Sequence, residues 1–155
     1  MCRLRTIFLV AVAMLFVLTT LVEATGAPPS PGPKERCAVC GMFVAKYPNW
    51  VAIVAVDGGS LRYFDGPKDL FRFLARDGGQ VTPTTKIWVT DYYTTTLLDA
   101  RDAIFVIGSD VLGPMGAELI PHASVELAES FRADHGGEPP LAFEDVDANV
   151  LGSLE

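Results

Sequence analysis

Cys37 and Cys40 stand three positions apart in the run Cys37-Ala38-Val39-Cys40-Gly41-Met42, and any sulfur chemistry begins with them. The third cysteine, Cys2, precedes an apolar leader and is lost with it on cleavage. A CxxC pair in an exported chain serves as a structural disulfide, a redox dithiol or a metal site, and its spacing does not choose among the three. A redox dithiol is favoured by a helix that starts at its first cysteine, because the helix dipole lowers the thiol pKa. Here Gly41, Met42, Phe43 and Val44 run toward Tyr47-Pro48, which is poor helix-starting sequence. A closed zinc site needs two further ligands, and the two histidines, His122 and His135, show no finger spacing. Met42 strengthens a soft-metal reading, since a thioether stays uncharged at every pH and selects copper(I) over zinc.

Met115 lies between Pro114 and Gly116 in a loop punctuated by glycine, where it has little helical or strand stripe to belong to, so it reads either as a core residue or as a second thioether. His122 comes shortly after and offers a nitrogen ligand. His135 falls in the last turn of a helix before Gly136-Gly137, where a histidine interacts favourably with the helix C-terminus, and is left out of the site. Asp65, Asp69, Asp91, Asp99 and Asp102 are scattered over turns and helix starts and read as caps and loop-solvating groups, not as a catalytic pair. The sequence contains no GxSxG, no phosphate-binding glycine loop and no HExxH, so no enzyme is expected.

The elements that position these residues lie beyond an N-terminal targeting segment. Arg3 and Arg5 precede an uncharged stretch from Thr6 to Val22, with small residues around Ala24, so residues 1–24 read as a signal peptide or membrane anchor. The stretch sits at the short edge of the roughly 17–25 residues that span a bilayer. The protein is thus expected in the periplasm or on the outer face of the membrane, free or held by residues 6–22. Residues 25–36 form a linker whose four prolines exclude helix and sheet interior. Removal of residues 1–24 leaves ten basic and eighteen acidic side chains, a net −8 that repels nucleic acid and anionic lipid.

The remaining residues match one compact domain. Trp50–Val56 is an apolar run ending at the turn signal Asp57-Gly58-Gly59-Ser60, and Leu61–Phe64 returns as a second strand. Pro67 opens a helical stripe of Leu70, Phe71, Phe73 and Leu74 that Gly78-Gly79 ends, and Ile87-Trp88-Val89 is a third strand, which Tyr92 to Thr96 continue. The order then recurs: strands at Ala103–Ile107 and Glu118–His122, an N-cap at Ser124, a helix through Leu127, Ala128 and Phe131, and a closing strand over Leu141–Val146. The expected fold is α+β, with two tandem ββαβ repeats at about 43–95 and 100–148 forming one metal-binding domain over residues 37–148. The second copy carries about six extra residues between its two strands, and they contain Gly113-Pro114-Met115-Gly116.

Cys37-x-x-Cys40-Gly41-Met42, Tyr63-Phe64-Asp65, and Gly108-Ser109-Asp110 through Gly113-Pro114-Met115-Gly116-x-Glu118-Leu119-Ile120-Pro121 resemble the NosL family. Its members are accessory lipoproteins that deliver copper(I) toward assembly of the copper centre of nitrous-oxide reductase. The likeness spans about Cys37 to Val146. It implies a duplicated ββαβ fold, similar to part of an organomercurial lyase, and copper(I) ligands among Cys37, Cys40, Met42 and Met115, with His122 as a further candidate. It also implies a partner in nitrous-oxide reductase, or a similar copper enzyme, and its maturation machinery. The sequence departs from the family in having no lipobox cysteine at the end of the apolar run. The competing reading is an envelope thiol–disulfide protein in which Cys37 and Cys40 cycle and the methionines only pack.

Overall fold

A computed structural model describes residues 28, 30–56, 59–76 and 82–155. The leader, Cys2, the start of the linker, the Asp57-Gly58 part of the turn and the Gly78-Gly79 helix stop lie outside the described residues. Among the described residues no helix is long and apolar enough to cross a membrane.

The first repeat folds in the expected order. Strands β1 (Ala52–Ala55) and β2 (Leu61–Phe64) form an antiparallel hairpin, helix α1 (Pro67–Arg76) comes next, and β3 (Ile87–Thr90) pairs with the other edge of β1. β1 is the central strand, and three of its four residues, Ala52, Ile53 and Val54, are fully enclosed. Burial on both faces explains why the segment reads as a continuous apolar run and not as an alternation.

The chain does not continue β3 through Tyr92–Thr96. Asp91 accepts hydrogen bonds at Oδ2 from Thr94 N (2.7 Å) and Thr94 Oγ1 (2.8 Å), and Thr95 N donates to the Asp91 carbonyl (2.9 Å). This side chain gives the backbone an alternative to the ladder. The turn brings β4 (Leu97–Asp99) back antiparallel to β3, so the sheet order is β2-β1-β3-β4.

The second repeat uses β5 (Ile104–Val106), β6 (Ile120–His122) and α2 (Val125–His135). Ser124 caps α2 as expected, accepting from Leu127 N at 3.3 Å, and Gly136 ends it at φ +71°. β5 holds the central place that β1 holds in the first copy. Phe105 lies opposite Pro121 in β6, and on its other side it exchanges two 2.8 Å hydrogen bonds with Leu141. The strand expected over Leu141–Val146 is reduced to that single bridge. Pro139 and Pro140 before it have no N–H for a ladder, and Phe143–Asp145 turn into a 3-10 helix. A short helix, α3 (Ala148–Gly152), capped by Asp147, packs on α1 and is too short to show as a stripe in the sequence.

The two copies share one interior. Phe71 of α1 meets Phe105 of β5 edge-on, with ring centroids 5.2 Å apart, inside a core that also takes in Ile53, Val54, Phe64, Leu70 and Leu119. A smaller cluster of Val106, Ile120, Ala128 and Phe131 lies beneath α2. At the seam Tyr92 N donates to the Pro121 carbonyl and Ala123 N to Asp91 Oδ1, both at 2.9 Å.

Phe105→Ala should therefore destabilise the whole domain by about 3–5 kcal/mol, as large-to-small changes at enclosed aromatics do. Urea denaturation should keep a single transition. Two separated transitions would show that the copies fold independently and would refute the shared core.

Candidate metal centre

The segment before β1 closes on itself. Arg36 and Phe43 form an isolated antiparallel bridge, Cys37 N donates to the Met42 carbonyl (2.8 Å), and Gly41 N donates to the Cys37 carbonyl (3.0 Å). The Arg36 guanidinium lies 4.0 Å from the centre of the Phe43 ring and donates to the Gly41 carbonyl. Gly41 takes φ +79°, a conformation that other residues rarely adopt. Ala38 N donates to the Tyr63 carbonyl at 3.1 Å, so the CxxC loop is stitched to β2.

That docking places both sulfurs at the junction of β2 and α1. Cys37 is buried and Cys40 half-buried, and neither is in a disulfide. Cys37 Sγ donates to Asp69 Oδ2 and Cys40 Sγ to Asp65 Oδ1, each at 3.2 Å. The two carboxylates are themselves enclosed, at 1% exposure for Asp65 and 2% for Asp69. One ligating atom from each of the four residues lies within 4.8 Å of the other three. Asp65 and Asp69 are therefore not the simple turn and cap residues that their sequence positions suggest, because the structure turns both onto the cysteines. Neither stands out along the chain, because Asp65 sits in the bend before α1 and Asp69 in its first turn, where aspartate is ordinary.

Burial pushes the Cys37 thiol up to about 11, with the neighbouring Asp65 carboxylate acting in the same direction. Burial raises Cys40 further still. Both thiols are therefore protonated donors at neutral pH, the opposite of the activated thiolate that a dithiol oxidoreductase needs.

The other expected residues divide into two groups. Met42 lies half-buried at the end of the CxxC loop, and its carbonyl closes that loop. Met115 is 44% exposed, at the tip of a turn in which Gly113 N donates to the Gly116 carbonyl (2.8 Å) and Gly116 N returns the bond (3.2 Å). Lys68, beside Asp69 in the first turn of α1, donates from Nζ to the carbonyls of Met115 (3.0 Å), Ala117 (2.6 Å) and Leu154 (3.3 Å). Glu118 accepts from Lys68 N (2.6 Å) and so caps α1 from a distant part of the chain. Burial raises the Glu118 carboxyl to about 7, against the pull of the N–H donors of Leu119 and Lys68 and of the Lys68 charge. A side chain at Gly66 would run into that carboxylate, and a Cβ at Gly113 would come within 2.9 Å of Glu118 Cγ. The two glycines thus let the Met115 loop pack against the helix start that carries Asp65 and Asp69.

His122 does not join the four clustered residues. Its ring is fully buried on β6 among Tyr92, Tyr93 and Phe131, and neither ring nitrogen has a hydrogen-bond partner. Burial lowers its pKa to about 4, with the Asp91 charge opposing. His135 stacks on Phe131 and its Nδ1 lies 3.0 Å from Asp110 Oδ1.

The sequence profile of the NosL family matches residues 28–151. A curated relative, the copper-binding lipoprotein NosL of Stutzerimonas stutzeri, is 27% identical over 156 residues, covering 92% of this chain and 80% of that protein. The crystal structure of the copper chaperone NosL from Shewanella denitrificans superposes with a TM-score of 0.71 at 23% identity. That match covers 79% of this chain and 97% of the other, and at this identity it concerns the fold.

Two measurements probe the centre. In the reduced, metal-free protein at pH 8, Cys37 and Cys40 should react with iodoacetamide at least about tenfold more slowly than an unstructured peptide thiol; equal rates would revive the redox dithiol. For His122, the folded value near 4 lies below the ordinary 6.5, so the unfolded chain binds the extra proton between these pH values. Stability is lost as pH falls through that window, by up to about 3 kcal/mol. The stability gap between His122→Phe and the parent should consequently shift in the variant's favour from pH 7 to pH 5, and a gap that does not change with pH would contradict the burial argument.

Proposed function

The chain belongs to the NosL family, and we propose that it carries copper(I) on Cys37, Cys40, Met42 and Met115 and hands the ion to a copper enzyme. The observation that supports this most directly is the gathering of two unbridged thiols at the start of α1, the same helix to which Lys68 ties the backbone of exposed Met115. Two thiolates and neutral thioethers match the ligand preference of a soft, singly charged cation. The names of the relatives, a copper-binding lipoprotein and a copper chaperone, point the same way.

The geometry suits transfer better than storage. Cys37 is buried and anchored by backbone bonds, while Cys40 is half-open and Met115 projects from a turn. An incoming partner can replace Met115 and then Cys40 while Cys37 still holds the ion, so copper is never free. The recipient in this reading is nitrous-oxide reductase or its maturation machinery, on the outer side of the membrane. His122 plays no part, because its ring is enclosed away from the sulfur cluster.

Because both thiols start protonated, copper(I) must displace their protons, and affinity falls as pH falls. Anaerobic competition against a chromogenic copper(I) chelator should give one ion per chain, with affinity changing by up to about a hundredfold per pH unit near neutrality if two protons leave. Cys37→Ser and Cys40→Ser should abolish competition, and Met115→Ala should weaken it at least about tenfold. Binding indifferent to Met115 would remove the loop from the site, and binding indifferent to Cys40 would overturn the reading.

A further inference from the structure

A thioether is an uncharged ligand, and it adds most to affinity when binding does not first have to order the chain that carries it. Met115 is 44% exposed, so side-chain packing does little to hold it in place. Its backbone is held instead, at both ends of the turn. Lys68 Nζ donates to the Met115 carbonyl at 3.0 Å and to the Ala117 carbonyl at 2.6 Å. Gly113, at the other end, lies so close to Glu118 that an added Cβ would stand 2.9 Å from its Cγ. Glu118 in turn accepts from Lys68 N (2.6 Å) and Leu119 N (3.0 Å). One lysine is thus joined to the turn twice, through its ammonium and, by way of Glu118, through its main-chain N–H.

The same lysine is next in sequence to Asp69, whose Oδ2 accepts the Cys37 S–H at 3.2 Å. The first turn of α1 therefore fixes a cysteine sulfur through one residue and the Met115 backbone through its neighbour. Lys68 is 2% exposed, so little water competes for its donors, and hydrogen bonds from an enclosed charge are strong. Because the grip is on carbonyl oxygens, the thioether itself stays free to bind a metal and to leave it.

We infer that Lys68 is a positioning residue for copper(I): its ammonium holds the Met115 turn at the start of α1 and so keeps the thioether within reach of the cysteines. The inference rests on the reading of Met115 as a copper(I) ligand, and its test separates the two.

The test is a double-mutant cycle on copper(I) affinity, read by anaerobic competition with a chromogenic chelator on the reduced, metal-free full-length chain in detergent. Its four corners are the parent, Lys68→Met, Met115→Ala and the double variant. Lys68→Met keeps the aliphatic stem and removes the ammonium. It should weaken binding at least about tenfold in the parent background and less than about twofold where Met115 is already alanine. A lysine that only stabilises the fold would weaken both backgrounds alike. X-ray absorption on copper(I)-loaded Lys68→Met should find one sulfur neighbour fewer than in the parent. Gly113→Ala, which leaves Lys68 its charge and pushes the turn off Glu118, should show the same dependence on Met115 and carries the cycle where Lys68→Met does not fold. Equal losses in both backgrounds, or no loss in either, would overturn the positioning role and leave the copper(I) reading standing. Parent affinity indifferent to Met115→Ala would overturn both.

Discussion

One buried ammonium holds the site region together. Lys68 is 2% exposed, and its three donors reach carbonyls from the Met115 turn, from Ala117 and from the C-terminal Leu154. A lysine charge enclosed without such partners would be strongly unfavourable, so these bonds tie the loop and the segment at Leu154 to the first turn of α1. Glu118 completes the arrangement by capping the same turn with its carboxyl, which lies near the Lys68 charge. The inserted loop of the second copy is thereby made part of the wall around the first copy's helix start.

The duplication explains how one scaffold acquired a one-sided site. Both copies build a central strand flanked by antiparallel neighbours and covered by a helix. The first copy's helix begins against the CxxC loop, and its acidic residues meet sulfur. The second copy's helix begins at Ser124, an ordinary capped start on the far side of an aromatic cluster that encloses His122. Equivalent elements thus carry unequal chemistry, because the segments added before β1 and between β5 and β6 both converge on α1.

Electrostatics set the state of the two thiols. Two thiols beside two buried aspartates remain protonated, since burial and the side-chain hydrogen bonds around them both oppose thiolate formation. Protonated thiols of this kind are poor nucleophiles.

Periodicity, turn chemistry and rare residue types are local properties, so the α+β class, the tandem order of elements, the N-cap at Ser124 and the sulfur ligands worth considering are all legible along the chain. Local reading fails at Tyr92–Thr96, where the Asp91 side chain bends β-favouring residues into a tight turn, and at Leu141–Val146, where two prolines leave one bridge. Cys37, Cys40 and Met115 stand out because cysteine and loop methionine are scarce. Asp65 and Asp69 do not, because aspartate at a turn or helix start is ordinary, and only tertiary packing distinguishes a cap from a ligand. The enclosure of His122 and the role of Glu118 as a helix cap contributed from fifty residues away are likewise decided by the fold. Burial and long-range contact set the chemistry of a polar side chain, and neither is written in its neighbours along the chain.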